Sequence, residues 1–427
     1  MKIEVLKEDS DYMYNFVKKI INDCGPRMPC SPAEAKAAEI IKDEMEKICN
    51  TVSLEHFTCH PKAFLGWIRL ILICILSSMG LYLIMQLLSN PFWLAFISII
   101  SFLLVFLSIV IMWEEFFNYR EFIDPLFRKQ SSQNVIGKII NGEKKNIIIF
   151  SAHIDSAIQF TLLKLLKWGF LVLAFGGILL ILIWFIIAFL NLLFMVIGFI
   201  TFKSIFFNTS IWLLIFGSPS IIGLFFFVPS GEKGNVVPGA VDNLSSCSVL
   251  IGLGRYLKIN KDIIPNNTEI RLIAFGCEEA GLRGAYRYVS SHLDELIDYN
   301  TMVVNMDGLE TPDGFYVIDY EPTTRTKHSE EMVIKLLKAA NLVGIEAKTL
   351  GSGKLEKTLG RLSGGSDAAA FSKANIKAGF ISSADWKTRS SYYHQDTDTP
   401  DKIKKGTLEN ALHICIAFLI NESKNIV

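Results

Sequence analysis

Long stretches of this 427-residue sequence have no charge at all. No Lys, Arg, Asp or Glu occurs from Leu70 to Trp113, and from Trp168 to Gly231 the only formally charged residue is Lys203. That pattern excludes a chain that is soluble throughout. None of the eight cysteines forms a CxxC pair, so nothing demands a disulfide framework. Cys24 and Cys30 could pair only if their domain were extracellular. No basic cluster is present, and 42 Lys and Arg balance 42 Asp and Glu, so nucleic acid is not an expected partner. Met1–Lys19 mixes acids and bases without an apolar core, so no signal peptide is expected.

What is present is unevenly apolar. Hydrophobic residues make up 51% of the chain, and mean hydropathy is +0.37, above the usual level for a soluble domain. Leu70–Leu88 and Phe92–Trp113 are each long enough to span a hydrocarbon core of roughly 30 Å. Ser89-Asn90-Pro91 between them is a turn signal, so 64–113 is expected to form a transmembrane hairpin. A second insertion is expected over 168–230, with Trp168–Phe189 and Ile211–Val228 as spans. Leu192–Phe207 between them could extend the third helix, lie at the interface or re-enter the membrane. Both flanks of each insertion belong to one polar domain, so crossings must be even in number, and four helices is the simplest count. Lys and Arg gather on the polar-domain side, Lys62, Arg69, Arg120 and Lys233 among them, against Lys203 beyond. The positive-inside tendency therefore predicts a multi-pass protein with a cytoplasmic polar domain.

Positions 1–63, 114–167 and 231–427 remain, and are expected to build one discontinuous α/β domain with a mixed sheet. Ser31 can cap a helix, Pro32 suits its first turn, and Glu34 falls where a capping-box acid belongs. Strand-like runs are Thr51–Phe57, Asn134–Ile140, Asn146–Phe150, Glu269–Phe275 and Thr301–Val304. The last three are short, continuous and rich in Ile and Val, as buried central strands are. Ser245–Lys258 and Gly284–Ile297 read as helices.

Three apolar strands run directly into chemistry. Asn146–Phe150 leads into His153 and Asp155, Glu269–Phe275 into Glu278 and Glu279, and Thr301–Val304 into Asp307. In open α/β sheets ligands bind at the carboxyl ends of strands. Asp242-Asn243 before a helix and Tyr392-Tyr393-His394 near the end are pieces of the same kind. Each alone is weak, since adjacent glutamates are usually solvated surface and a lone Asp-Asn is usually a turn. Together, His153, Asp242, Glu279, Asp307 and His394 offer imidazole and carboxylate donors suited to zinc. Of the adjacent pair Glu278-Glu279, one could bind metal while the other takes a proton from water.

The ordered pieces SAHIDS, GAVDNLSS, FGCEEAGLRGA, VVNMDG, GGSDAAAFSKANI and YYHQDTDTPDKI resemble the zinc peptidase family M28, of the aminopeptidase S/Y type. The resemblance runs from Gly25-Pro26-Arg27 to the C-terminus, outside the two insertions. It implies an α/β/α sandwich of the zinc aminopeptidase type carrying four inserted transmembrane helices. It implies two Zn2+ ions, one held by His153 and Asp307, the other by Glu279 and His394, with Asp242 bridging. Glu278 would be the general base, Asp155 would hold the second nitrogen of His153, and Asp398 would be structural. The bond after Asp242 would be cis, and the first three strands would form an antiparallel meander. Two features depart from the pattern: Ala368 follows Ser366-Asp367 where His is common, and 89 positions separate His153 from Asp242.

The expected activity is amide hydrolysis of a peptide, most simply as an aminopeptidase, with Tyr392 or Tyr393 as a donor to the tetrahedral intermediate. Both insertions follow strands that would point the same way, so the active site is expected beside the bilayer. A carboxypeptidase, an inactive membrane scaffold or receptor, and a transporter are the rivals. A transporter finds little support, since Lys203 is the single formal charge within the apolar windows.

Overall fold

A computed structural model of the protein describes residues 7–229, 231–359 and 364–424. Contacts divide the chain into two units: Met1–Pro61, Lys129–Gln159 and Glu232–Val427 form the first, and Lys62–Arg128 with Phe160–Gly231 the second.

Among the described residues the first unit has ten strands: β1 (Thr51–Cys59), β2 (Gln130–Asn141), β3 (Asn146–His153), β4 (Thr268–Phe275), β5 (Asn300–Leu309), β6 (Phe315–Ile318), β7 (Tyr320–Glu321), β8 (Thr326–Lys327), β9 (Ala347–Leu350) and β10 (Lys377–Ser383). Eight of them form one mixed sheet in the order β1-β2-β4-β3-β5-β10-β6-β9. β4, β3, β5 and β10 are mutually parallel. The expected antiparallel meander is corrected here, because β4 lies between β2 and β3. β1 and β3 still point the same way, since β1 opposes β2, β2 opposes β4, and β4 parallels β3.

Alternate residues of the central strands feed two cores. Ile148, Phe150, Ile270 and Leu272 join one cluster with the helices Lys7–Cys24, Ser245–Ile259 and Thr407–Ser423. Ile147, Ile149, Ile273 and Phe275 join the other with the helix Arg283–Asp298. Side chains on a strand alternate faces, and here both faces are covered, which is why the runs read as continuous apolar sequence. The result is an α/β/α sandwich. Ser31 caps the helix Pro32–Glu46 by accepting from Glu34 N at 3.1 Å. The Glu34 carboxylate does not close a capping box on Ser31. It accepts from Cys30 N at 2.8 Å and from Ser132 Oγ at 2.9 Å, drawn inward as a buried anchor.

The second unit holds four helical stretches, Ala63–Gln86, Pro91–Phe117, Thr161–Val196 and Ile200–Phe225, each able to cross a membrane by length and composition. Asn90 caps the second by accepting from Phe92 N at 2.9 Å. Leu192–Phe207 is divided: the third helix ends at Val196 and the fourth begins at Lys203. Inside the unit, Ser78 Oγ lies 2.7 Å from Ser101 Oγ and accepts from Trp184 Nε1 at 2.9 Å, while Asn191 donates to Ser98 at 2.9 Å. Small hydroxyls let apolar helices approach and give buried polar atoms partners. Outward, Leu83, Phe92, Val172 and Phe216 are exposed. Lys203 Nζ donates to the carbonyls of Gln86 and Leu88, closing the C-terminal end of the first helix.

Candidate metal centre

The carboxyl ends of three adjacent parallel strands meet two loops. His153 is the last residue of β3, Glu278 and Glu279 follow β4, and Asp307 lies within β5, which runs on past its expected end to Leu309. Asp242 comes from the turn before the helix Ser245–Ile259, and His394 from the loop after β10.

These residues converge. His153 Nε2 is 3.2 Å from Asp242 Oδ1, 3.5 Å from Asp307 Oδ1 and 3.9 Å from Glu278 Oε2. His394 Nε2 is 3.3 Å from both Asp242 Oδ2 and Glu279 Oε1. The two oxygens of Asp242 thus face two different imidazoles. Two donor triads result, His153/Asp242/Asp307 and Asp242/Glu279/His394, each with its ligand atoms within 4.8 Å of one another. The Asp242–Asn243 peptide is cis.

Asp155 faces the second nitrogen of His153: Nδ1 lies 3.1 Å from its main-chain oxygen and 3.5 Å from its carboxylate. The Asp155 carboxylate also accepts from Glu278 N at 3.1 Å and Glu279 N at 3.0 Å, fixing the loop that carries both glutamates.

That geometry sets the proton on His153. A carbonyl only accepts, so Nδ1 donates to it, and Nε2 of the neutral ring is a bare lone pair. Nε2 faces carboxylates, which also only accept. His153 Nε2 and Glu279 Oε1 are buried without a hydrogen bond. Acceptors turned on acceptors in a buried site are reconciled by a cation, and imidazole with carboxylate is a donor set that a divalent metal fits. Burial, then the charges of Glu279, Asp307 and Asp367, push the Glu278 carboxyl well above its usual range despite His153.

Of the supports around the ligands, Asp398 was expected and the others were not legible as site residues. Asp398 Oδ1 accepts from Val241 N at 2.8 Å and its Oδ2 from Asp242 N at 3.2 Å, which is the structural role expected of it. The Asn243 amide donates to Met306 O at 3.0 Å and accepts from Gly308 N at 3.3 Å, tying the turn of Asp242 to the strand of Asp307. Arg27, fully buried, donates to Ile154 O at 2.9 Å and Pro238 O at 2.8 Å, bracing two ligand-bearing segments. Arg389 lies over the Tyr393 ring at 4.4 Å, and Tyr393 stacks on His394 with ring centres 4.0 Å apart. Tyr392 is corrected as a candidate donor to substrate: its hydroxyl is buried and given to Glu310 Oε2 at 2.7 Å. Ala368 is buried in the core beside Phe371.

Residues 228–419 match the model of Peptidase family M28. The match takes in Asp242, Glu278, Glu279, Asp307 and His394; His153 and Asp155 precede it. A stretch of 180 residues is 33% identical to Aminopeptidase YwaD of Bacillus subtilis (strain 168), covering 41% of this chain and 35% of that protein. The chain thus spans about a third of that curated relative. Among solved structures, BSAP, a zinc aminopeptidase from Bacillus subtilis, has a TM-score of 0.55 at 18% identity, covering 98% of this chain and 96% of that one. The aminopeptidase from Aneurinibacillus sp. strain AM-1 has a TM-score of 0.52 at 15% identity, covering 97% and 93%. A glutaminyl cyclase from Fimbriiglobus ruber has a TM-score of 0.55 at 13% identity, covering 98% and 97%, so the fold is common to more than one chemistry. Residues 228–419 are therefore similar to Peptidase family M28, and the chain has a fold like that of the zinc aminopeptidases.

Proposed function

We propose that this protein is an integral membrane peptidase using two zinc ions, and that it removes residues from the free amino end of peptides. The observation that carries the reading is Asp242, whose two carboxylate oxygens each face a different imidazole and a different further acid. One zinc would be held by His153 and Asp307, the other by Glu279 and His394, with Asp242 shared. Bound zinc supplies a Lewis acid that acidifies water and polarises a carbonyl.

The chain's own residues do the rest. Glu278 stands 3.9 Å from His153 Nε2, at the edge of the centre and outside both triads. It takes the proton of the attacking water and returns it to the leaving amine. Asp155 holds the Glu278 and Glu279 amides, so base and ligand keep their spacing. Tyr393, whose ring packs against His394, keeps its place as the candidate aromatic donor. The positive charge flanking the insertions supports a catalytic unit on the cytoplasmic side. Both apolar insertions follow strands of one direction, at Pro61 and Gln159, which supports substrate capture near the bilayer surface.

Glu278→Gln keeps size and hydrogen bonding but cannot accept a proton. It is expected to retain zinc, measured by elemental analysis, and to lose about 10²–10⁴-fold in kcat. Turnover at the parent rate would remove Glu278 as the base.

A further inference from the structure

Three of the eight cysteines meet at one point outside the two donor triads. Cys30 Sγ lies 3.5 Å from Cys59 Sγ and 3.4 Å from Cys277 Sγ, and one ligand atom from each falls within 4.8 Å of the others. They arrive from three places: the turn before the helix Pro32–Glu46, the last residue of β1 and the loop after β4. Cys59 and Cys277 are buried, Cys30 is half-buried, and all three are free thiols. Beside them the buried Glu34 places Oε1 at 3.6 Å from Cys277 Sγ and 2.9 Å from Cys277 N.

Three convergent sulfurs are a donor set for a thiophilic d10 cation. Tetrahedral zinc, with bonds of about 2.3 Å to sulfur, sets sulfurs about 3.8 Å apart. The observed spacing reaches that with an outward shift of a few tenths of an ångström. Three thiolates outnumber a divalent charge, and the Arg287 guanidinium stands close by, its Nη2 3.4 Å from Thr58 O beside Cys59.

We propose that Cys30, Cys59 and Cys277 form a third metal site, binding one thiophilic divalent cation through their three sulfurs. Binding releases the three thiol protons and forms three metal–sulfur bonds. The ion then staples the chain before the helix Pro32–Glu46, the end of β1 and the loop leading into Glu278 and Glu279. The inference stands apart from the peptidase reading, because it uses none of that centre's donors.

The test is cobalt loading of the full-length protein, reduced and in detergent, followed by absorption spectroscopy. Thiolate bound to Co2+ gives a sulfur-to-metal charge-transfer band, and imidazole–carboxylate sites give none. The band is expected in the parent and in Cys49→Ser, and is expected to vanish in Cys59→Ser together with one equivalent of bound metal. Absence of the band from the parent overturns the proposal whether or not Cys59→Ser folds, and Cys30→Ser is the second variant that should lose it. No band from a parent whose thiols all titrate as reduced would overturn the proposal. So would a disulfide among the three in protein isolated without reductant, which would make the cluster a redox pair. Neither result bears on peptide hydrolysis, so failure here is distinguishable from failure of the peptidase reading.

Discussion

At the scale of single residues, the centre is an arrangement of acceptors held in place by donors from the main chain. Asp155 spends its carboxylate on the amides of Glu278 and Glu279. Asp155→Asn would keep one acceptor oxygen and turn an N–H2 toward the other amide. Loss of such outer support typically costs 10–100-fold in metal affinity or activity. A fall in kcat/KM of about that size is expected, with the fold intact by circular dichroism; unchanged kcat/KM and zinc affinity would remove the positioning role. Residues of this kind were only partly legible in the sequence. His153, Asp242, Glu278, Glu279, Asp307 and His394 stood out because few side chains suit a hard or borderline cation, and three of the pieces follow apolar strands. The partners of Asp155, Tyr392 and Arg27 did not, because each choice depends on chain that is distant in sequence. Tyr392 meets Glu310, 82 positions away, and Arg27 meets Pro238, 211 positions away.

At the scale of elements, β4 and the helix that follows it are joined by a buried ion network. Arg271 on β4, fully buried, donates to Glu269 Oε1 and Glu295 Oε1, both at 2.6 Å, and to the Tyr288 hydroxyl at 2.7 Å. Partial burial alone would raise the Glu295 carboxyl, but Arg271 and Lys144, each at 2.6 Å, bring it down to about 2. A depressed folded pKa stabilises fully above the unfolded value of about 4.3 and is lost as pH falls through the folded one. Glu295→Gln is therefore expected to cost about 2 kcal/mol above pH 5, and that deficit should shrink as pH falls toward about 2. Thermal melts against pH read this directly, and a deficit that is constant with pH would contradict it. Among elements, the central strands were legible from continuous Ile and Val, and the helix after Ser31 from its cap. Their order was not. Nothing local in β2 or β3 says that β4 will insert between them, because that pairing is settled by burial on both faces. The division of Leu192–Phe207 was equally hidden, since an apolar run without periodicity does not mark where one helix stops.

At the scale of the whole molecule, one chain carries two different solvent problems. The first unit buries a sheet between helices; the second turns apolar side chains such as Phe92, Val172 and Phe216 outward. The chain leaves the first unit after Pro61 and after Gln159, each time beyond a strand of the same direction, so the four apolar helices are insertions within the domain and not a tail at its end. The uncharged windows mark the interruptions but not their bounds: the second unit takes in Lys62–Arg128 and Phe160–Gly231, wider than the expected 64–113 and 168–230. Whether the protein is a membrane-embedded zinc peptidase acting on free amino ends is decided by one assay. Urea-washed inside-out vesicles carrying the protein and supplied with zinc are given a peptide with a free amine and the same peptide N-acetylated. Activity that stays with the vesicles, reaches added peptide and cleaves only the free-amine form is the predicted result. Activity that washes off, cleavage of both peptides at one rate, or no cleavage by zinc-loaded, folded protein would contradict it.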